Sequence, residues 1–121
     1  MDIFMLKSKL HQATVTDADM EYEGSIAIDA ALMREVDLQP FEKVLVANMA
    51  TGSRFETYVI PGAEGTGEIS LNGATARLGQ PGDRLIIFAF TQIPASEAAG
   101  FRPKIARLDS QNRVTQRFPA K

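Results

Sequence analysis

The chain contains no cysteine and no tryptophan, and its only histidine is His11. Without cysteine there can be no disulfide, no thiol nucleophile and no thiolate zinc site, which fits a reducing compartment. A single histidine cannot build a His-rich metal centre or a two-histidine mechanism within one chain. Hydrophobic runs are short, and none approaches the ~20 residues of a membrane-spanning helix. The start carries only Ile3-Phe4-Met5-Leu6 before Lys7, without the longer apolar region and cleavage pattern of a secretory leader. The expectation is a cytoplasmic protein. Excess positive charge is lacking too. The formal net charge is −2, so no broad attraction to nucleic acid is expected. Such basic charge as there is gathers late, in Arg102, Lys104, Arg107, Arg113, Arg117 and Lys121 against Asp109. These residues are spread out, without the aromatic interleaving that stacks on bases, and read as a solvated terminal strand and a frayed end.

At 121 residues the chain is long enough for one buried core and is read as one domain, residues 1–121. Around Lys7 to Thr16 the residues alternate, with Lys9 and His11 on one face and Ser8 and Leu10 on the other, which predicts a strand. Asp17-Ala18-Asp19 reads as a turn. Short strands are expected over Ser25 to Ile28, Lys43 to Met49, Arg54 to Ile60, Glu68 to Leu71, Arg84 to Ile93 and Lys104 to Leu108. The apolar run from Lys43 to Met49 predicts cover on both faces. Asp29 is placed to cap a helix over Ala30 to Val36. A helical turn is expected over Ala74 to Leu78, and another from Pro94 that ends at Gly100. Short strands with glycine-rich turns predict a mainly β fold, a small closed or nearly closed barrel carrying a few helical turns.

The Gly24-Ser25 bond is the most informative local feature. A serine hydroxyl held against the preceding carbonyl can attack it, break the chain and leave a ketone at the new amino terminus. An unstrained peptide does not do this. The fold must impose near-attack geometry and stabilise an oxyanion. Glycine tolerates the backbone strain that helps. Alone, the dipeptide is an ordinary turn before a strand.

Its neighbours change that reading. Lys9-Leu10-His11, Tyr22-Glu23-Gly24-Ser25-Ile26-Ala27-Ile28-Asp29, Arg54, Thr57-Tyr58 and Asn72-Gly73-Ala74 follow in an order that resembles the pyruvoyl-dependent aspartate 1-decarboxylases over nearly the whole chain. The resemblance implies a six-stranded double-psi β-barrel with short helices and assembly into a tetramer. It also implies a precursor cut between Gly24 and Ser25, giving chains 1–24 and 25–121. The implied reaction is a carboxy-lyase conversion of L-aspartate to β-alanine for pantothenate and coenzyme A. A pyruvoyl group made from Ser25 would form the Schiff base, with no metal and no pyridoxal phosphate. The resemblance implies that Thr57 and Asn72 polarise the Gly24 carbonyl during cleavage and that Tyr58 donates the proton to the α-carbon. Substrate contacts fall to Lys9, Arg54, Thr57, Asn72, Gly73 and Ala74. Arg54 suits the retained β-carboxylate, because its planar fork binds carboxylates in two places. His11 is a further candidate, to orient a carboxylate or to bond near Tyr22 or Tyr58. A maturation factor is an open partner; nucleic acid and membrane are not expected ones. Ala47 stands where many family members carry tryptophan, and Thr75-Ala76-Arg77 falls in a varying stretch.

In a regular strand Arg54 and Tyr58 share one face and Thr57 takes the other. Bringing Thr57 and Tyr58 together at Ser25 therefore needs a bulge or a site shared between subunits. Two other classes stay open at this point. One is a DNA- or partner-binding barrel, including an uncut homologue. The other is a serine hydrolase using Ser25, His11 and Asp17, although Glu23-Gly24-Ser25-Ile26-Ala27 is not a G-x-S-x-G elbow.

Overall fold

Short runs of β-branched and aromatic residues form nine strands among residues 1–23 and 25–120, which the computed structural model describes. Gly24 and Lys121 lie outside the described residues, so the Gly24 side of the candidate cleavage bond does as well. The strands are β1 (Asp2–Thr14), β2 (Asp17–Asp19), β3 (Ile26–Asp29), β4 (Lys43–Asn48), β5 (Arg54–Gly62), β6 (Ile69–Asn72), β7 (Arg84–Pro94), β8 (Lys104–Leu108) and β9 (Val114–Phe118). One helix, α1 (Ala30–Glu35), and two 3₁₀ turns, Gly73–Arg77 and Ala95–Gly100, complete the elements. The fold is mainly β with short helices, as expected.

Two strands were not expected, β2 and β9, and they bring the count to nine, against the seven read along the chain and the six that the resemblance implies. β2 forms where a turn was read, because Asp17 to Asp19 can pair in parallel with Ser70 to Asn72 of β6. β9 forms in the tail expected to fray. It pairs with β8, and Arg117 anchors it to Glu35 on α1 through two hydrogen bonds of 2.8 and 2.7 Å. Two parallel donors on one carboxylate give such a pair directional hold that a single contact lacks.

The strand order is β2-β6-β3-β5-β4-β7-β1-β8-β9. The two ends of this order meet. Thr16 N–H donates to the Ile69 carbonyl at 2.8 Å, and Val15 N–H to that of Asp83 at 2.8 Å. Asn112, buried in the turn between β8 and β9, accepts from Thr14 N–H at 2.7 Å and donates to the Thr14 and Gly67 carbonyls at 2.8 Å each. The sheet therefore curls around a core of Leu10, Ile26, Ile28, Val44, Val46, Val59, Ile69, Leu71, Leu85 and Ile87, all essentially inaccessible. β1 reaches this core through two irregularities, one between Leu6 and Ser8 and one between His11 and Ala13. The second includes Gln12 at φ +66°. Each adds a residue and resets the alternation. Ser8, Leu10 and Ala13 thus all point inward while Lys9 and His11 stay on the outer face.

Asp29 caps α1 as expected, accepting from Ala31 N–H at 2.8 Å. It also accepts from Gly65 N–H at 3.0 Å and Gly67 N–H at 2.8 Å, tying the β5–β6 loop to the helix. Burial alone pushes its carboxyl pKa up, but backbone donors on Gly67, Gly65, Ala31 and Leu32 together hold it below the ordinary value. A lowered folded pKa stabilises the fold above the unfolded pKa, and that stability drains away as pH falls through the folded one. Asp29→Ala should cost about 2 kcal/mol or more at neutral pH, through a lost cap and stranded amides. The penalty should shrink below the ordinary carboxylate range. Urea denaturation of both proteins across pH, at one protein concentration, measures it.

Candidate active site

Ser25 immediately precedes β3, which runs between β5 and β6. Ile26 pairs in parallel with Val59 and antiparallel with Leu71. One residue earlier, Ser25 falls beside Tyr58 on one side and Asn72 on the other. The Asn72 N–H donates to the Ser25 carbonyl at 2.8 Å. Gly73 then takes φ +64°, a turn that glycine makes without steric cost, and the chain folds back in a 3₁₀ turn. That turn brings the Thr75 hydroxyl to 2.7 Å from both the Ser25 and the Asn72 carbonyls. The sequence reading missed Thr75. Its only local signal is a hydroxyl three residues after Asn72, a spacing that allows bonding back to the i−3 carbonyl.

Asn72 opens the 3₁₀ turn without a side-chain capping bond. Its side chain is buried, and Nδ2 has no partner among the described residues. A stranded buried donor costs about 1–3 kcal/mol, and native structures rarely keep one without use. The amide is thus left open beside the residue whose carbonyl the Asn72 backbone holds.

β5 pairs with β4 without irregularity, so no bulge lies between Thr57 and Tyr58. Thr57 turns inward and is half-buried, while Tyr58 turns outward, 39% exposed, its ring 6.2 Å from that of Phe41. The bulge that would gather both side chains on one face is absent. Arg54 shares the Tyr58 face, exposed and four residues along the strand, roughly 13 Å away.

Lys9 and His11 lie on β1, four strands from β3 in the sheet order. Their register explains their company. His11 pairs with Ile86, Ile86 with Ala47 and Ala47 with Arg54. Lys9 pairs with Phe88, Phe88 with Leu45 and Leu45 with Glu56. Paired residues point to one face. Lys9, His11, Arg54 and Tyr58 therefore decorate a common outer face, separate from the Ser25 carbonyl contacts. Ala47 sits in the row joining His11 to Arg54. Arg54 and His11 are three interstrand steps apart, roughly 14 Å between their backbones. The serine-hydrolase triad is not assembled: among the described residues His11 Nδ1 has no partner, so no bond links it to Ser25 or Asp17.

His11 and Lys9 line a pocket of about 360 Å³ with Ile105, Arg107, Gln116, Arg117 and Phe118. Lys9 Nζ lies 5.9 Å from the centre of the Phe88 ring. His11 Nδ1 is buried without a partner among the described residues, and no hydrogen bond there joins it to Tyr22 or Tyr58. Burial first, then the charges of Lys9 and Arg107, hold its pKa below the ordinary histidine value. Gly73 and Ala74 stand beside Asn72 at the start of the 3₁₀ turn, Ala74 exposed.

A family model described as aspartate decarboxylase matches residues 1–115. The chain belongs to the aspartate decarboxylase family. It is similar to the aspartate 1-decarboxylase of Pelotomaculum thermopropionicum, 50% identical over 116 residues, 96% of this chain and 88% of that protein. That of Chlorobium phaeovibrioides is 49% identical over 117 residues, covering 97% and 91% of the two chains. That of Syntrophus aciditrophicus is 50% identical over 114 residues, covering 94% and 98%. As the lone histidine, His11 should give a single imidazole titration curve by NMR. Arg107→Gln should move that titration upward by removing a repelling charge. An unmoved midpoint would mean that Arg107 does not reach the ring electrostatically.

Proposed function

We propose that this chain is a self-processing aspartate 1-decarboxylase that converts L-aspartate to β-alanine for pantothenate and coenzyme A synthesis. The observation that carries the reading is the built environment of Ser25: a carbonyl held by the Asn72 N–H and the Thr75 hydroxyl, next to a buried amide without a partner among the described residues. Family membership supplies the reaction. Ser25 Oγ attacks the Gly24 carbonyl carbon, and the chain opens between them into 1–24 and 25–121. The open Nδ2 of Asn72 and the Thr57 hydroxyl are the donors for the oxyanion that this attack creates. The residues present fit a pyruvoyl group at position 25, since donors already surround the carbonyl that would adjoin its ketone. When formed, that ketone supplies the electron sink for decarboxylation, with no call for pyridoxal phosphate or metal.

The chain's own residues do the rest. Arg54 grips the β-carboxylate that survives the reaction; tight binding of the departing carboxylate would only stabilise the ground state. Lys9 adds positive charge, and His11 orients a carboxylate. The backbone at Gly73 and Ala74 lines the substrate, and the Tyr58 hydroxyl protonates the α-carbon.

We take the site to be shared between subunits of a homotetramer. The separation of Lys9, His11 and Arg54 from Ser25 supports this, and so does the outer face itself. Leu45, Ile86 and Phe88 are only half-buried there, and Phe4 and Phe90 are 74% and 49% exposed. The run from Lys43 to Met49 gains its second cover when another copy docks. The mixture of parallel pairs β1–β8, β2–β6 and β3–β5 with antiparallel ones supports a double-psi barrel as a single domain. No helix among the described residues is long and apolar enough to cross a membrane. The proposed location is the cytoplasm, and a maturation factor is an admissible partner.

Intact-mass measurement tests the processing step. Two fragments divided after Gly24, the larger blocked to Edman degradation and trapped by borohydride, are expected, with or without cell extract. A single lasting species under every condition overturns it. Arg54→Ala should still be cut but should lose decarboxylation, and an uncut variant would refute that division of roles. Tyr58→Phe should likewise be cut, and should turn over about 10²–10⁴-fold more slowly.

A further inference from the structure

We infer that Thr75 polarises the Ser25 carbonyl during self-processing, an inference that rests on the cleavage reading above. After the acyl shift, Gly24 is esterified to Ser25 Oγ and the Ser25 amino group is free. A solvent base then removes the Ser25 Cα proton. The C–H electron pair becomes the Cα=Cβ bond, the Cβ–Oγ bond breaks, and Gly24 leaves as a carboxylate with that pair. Water adds to the resulting enamine in its imine form and ammonia departs, leaving the ketone. One water is consumed and one ammonia released, with no oxidant or reductant.

As the Cα–H bond breaks, negative charge spreads onto the Ser25 carbonyl oxygen. That oxygen is the one met by the Asn72 N–H at 2.8 Å and the Thr75 hydroxyl at 2.7 Å. Thr75 has one proton and two acceptors, because the Asn72 carbonyl also lies at 2.7 Å. In the resting precursor the two carbonyls compete for it. Charge on the Ser25 oxygen ends the competition, and the proton follows the charge. The contact therefore strengthens in the transition state more than in the ground state, which is the condition for acceleration. Both donors come from one short segment, Asn72 to Thr75, held by the Gly73 turn, so they need no rearrangement when the charge appears.

Freshly translated wild-type, Thr75→Val and Thr75→Ser chains separate the possibilities. Intact mass is followed over time, with and without hydroxylamine, which cuts an ester and leaves Ser25 with a free amino terminus. Thr75→Ala serves as a second hydroxyl-free variant, and either one that keeps the wild-type circular dichroism spectrum suffices. Ketone formation should slow about 10–100-fold in the hydroxyl-free variants, the range for a lost bond to a charged group. The hydroxylamine-sensitive ester should accumulate in them, and Thr75→Ser should keep close to the wild-type rate. A hydroxyl-free variant that matches wild type overturns the inference. So does a serine variant as slow as valine, which would indicate packing, and so does slowing without ester, which would place the effect before the elimination. A wild-type chain that stays whole under every condition, cell extract included, overturns the processing reading itself.

Discussion

The register of β3 between β5 and β6 is the constraint on which the site depends. Side chains alternate with period two along a strand, so a slip of one residue would swing Ile26 and Ile28 off the face they share and put Ala27 in their place. It would also remove the Ser25 carbonyl from the Asn72 amide. Buried Ile26 and Ile28 on one side, and Ile69 and Leu71 on the other, make that slip costly. The hydrophobic core thus fixes the chemistry at one remove. It does not touch the serine, but it decides which backbone groups the serine meets. Asp29, at the far end of β3, performs the matching task there by anchoring the strand's exit to α1 and to the glycine loop.

Much of this was legible in the residues. Apolar runs and alternation located seven strands, and Asp29 before Ala30-Ala31-Leu32-Met33 located the helix. What stayed hidden depends on partners distant in sequence. Asp17-Ala18-Asp19 has turn composition, and only its pairing with β6 makes it a strand. The tail has the charge of a solvated end, and only Glu35 shows that Arg117 holds it down. The bulges in β1 leave no mark in the pattern beyond a shift of phase. At the site, the resemblance carried by Gly24-Ser25, Thr57-Tyr58 and Asn72-Gly73-Ala74 named Ser25, Thr57, Tyr58 and Asn72 as candidates. Thr75 escaped because its importance lies in the turn Gly73 makes, which composition does not encode. The same limit explains the cations: the alternation placed Lys9 with His11, but only the register across β7 and β4 relates them to Arg54.

The proposed site therefore falls in two parts. One is internal and backbone-rich, built on β3, β6 and the Gly73 turn. The other is an outer sheet face, where cationic side chains are set among half-buried aliphatic and aromatic ones. A single strand cannot aim adjacent side chains at the same point, and β5 is regular where Thr57 and Tyr58 lie. The proposed sharing of the site between subunits rests on this separation. The half-covered outer face supports the same proposal on energetic grounds, since apolar surface left in water favours association.

β1 lies in the middle of the sheet, hydrogen-bonded to β7 on one side and β8 on the other, and it belongs wholly to the first 24 residues. Opening the chain after Gly24 would leave this central strand tethered only by non-covalent contacts. Folding and processing then become ordered in time. The intact precursor finds its native arrangement as a unimolecular search, whereas a denatured, opened product would have to reunite two peptides in the right register. Once opened, the protein's persistence would rest on the rate at which that strand escapes rather than on a reversible balance of free energies.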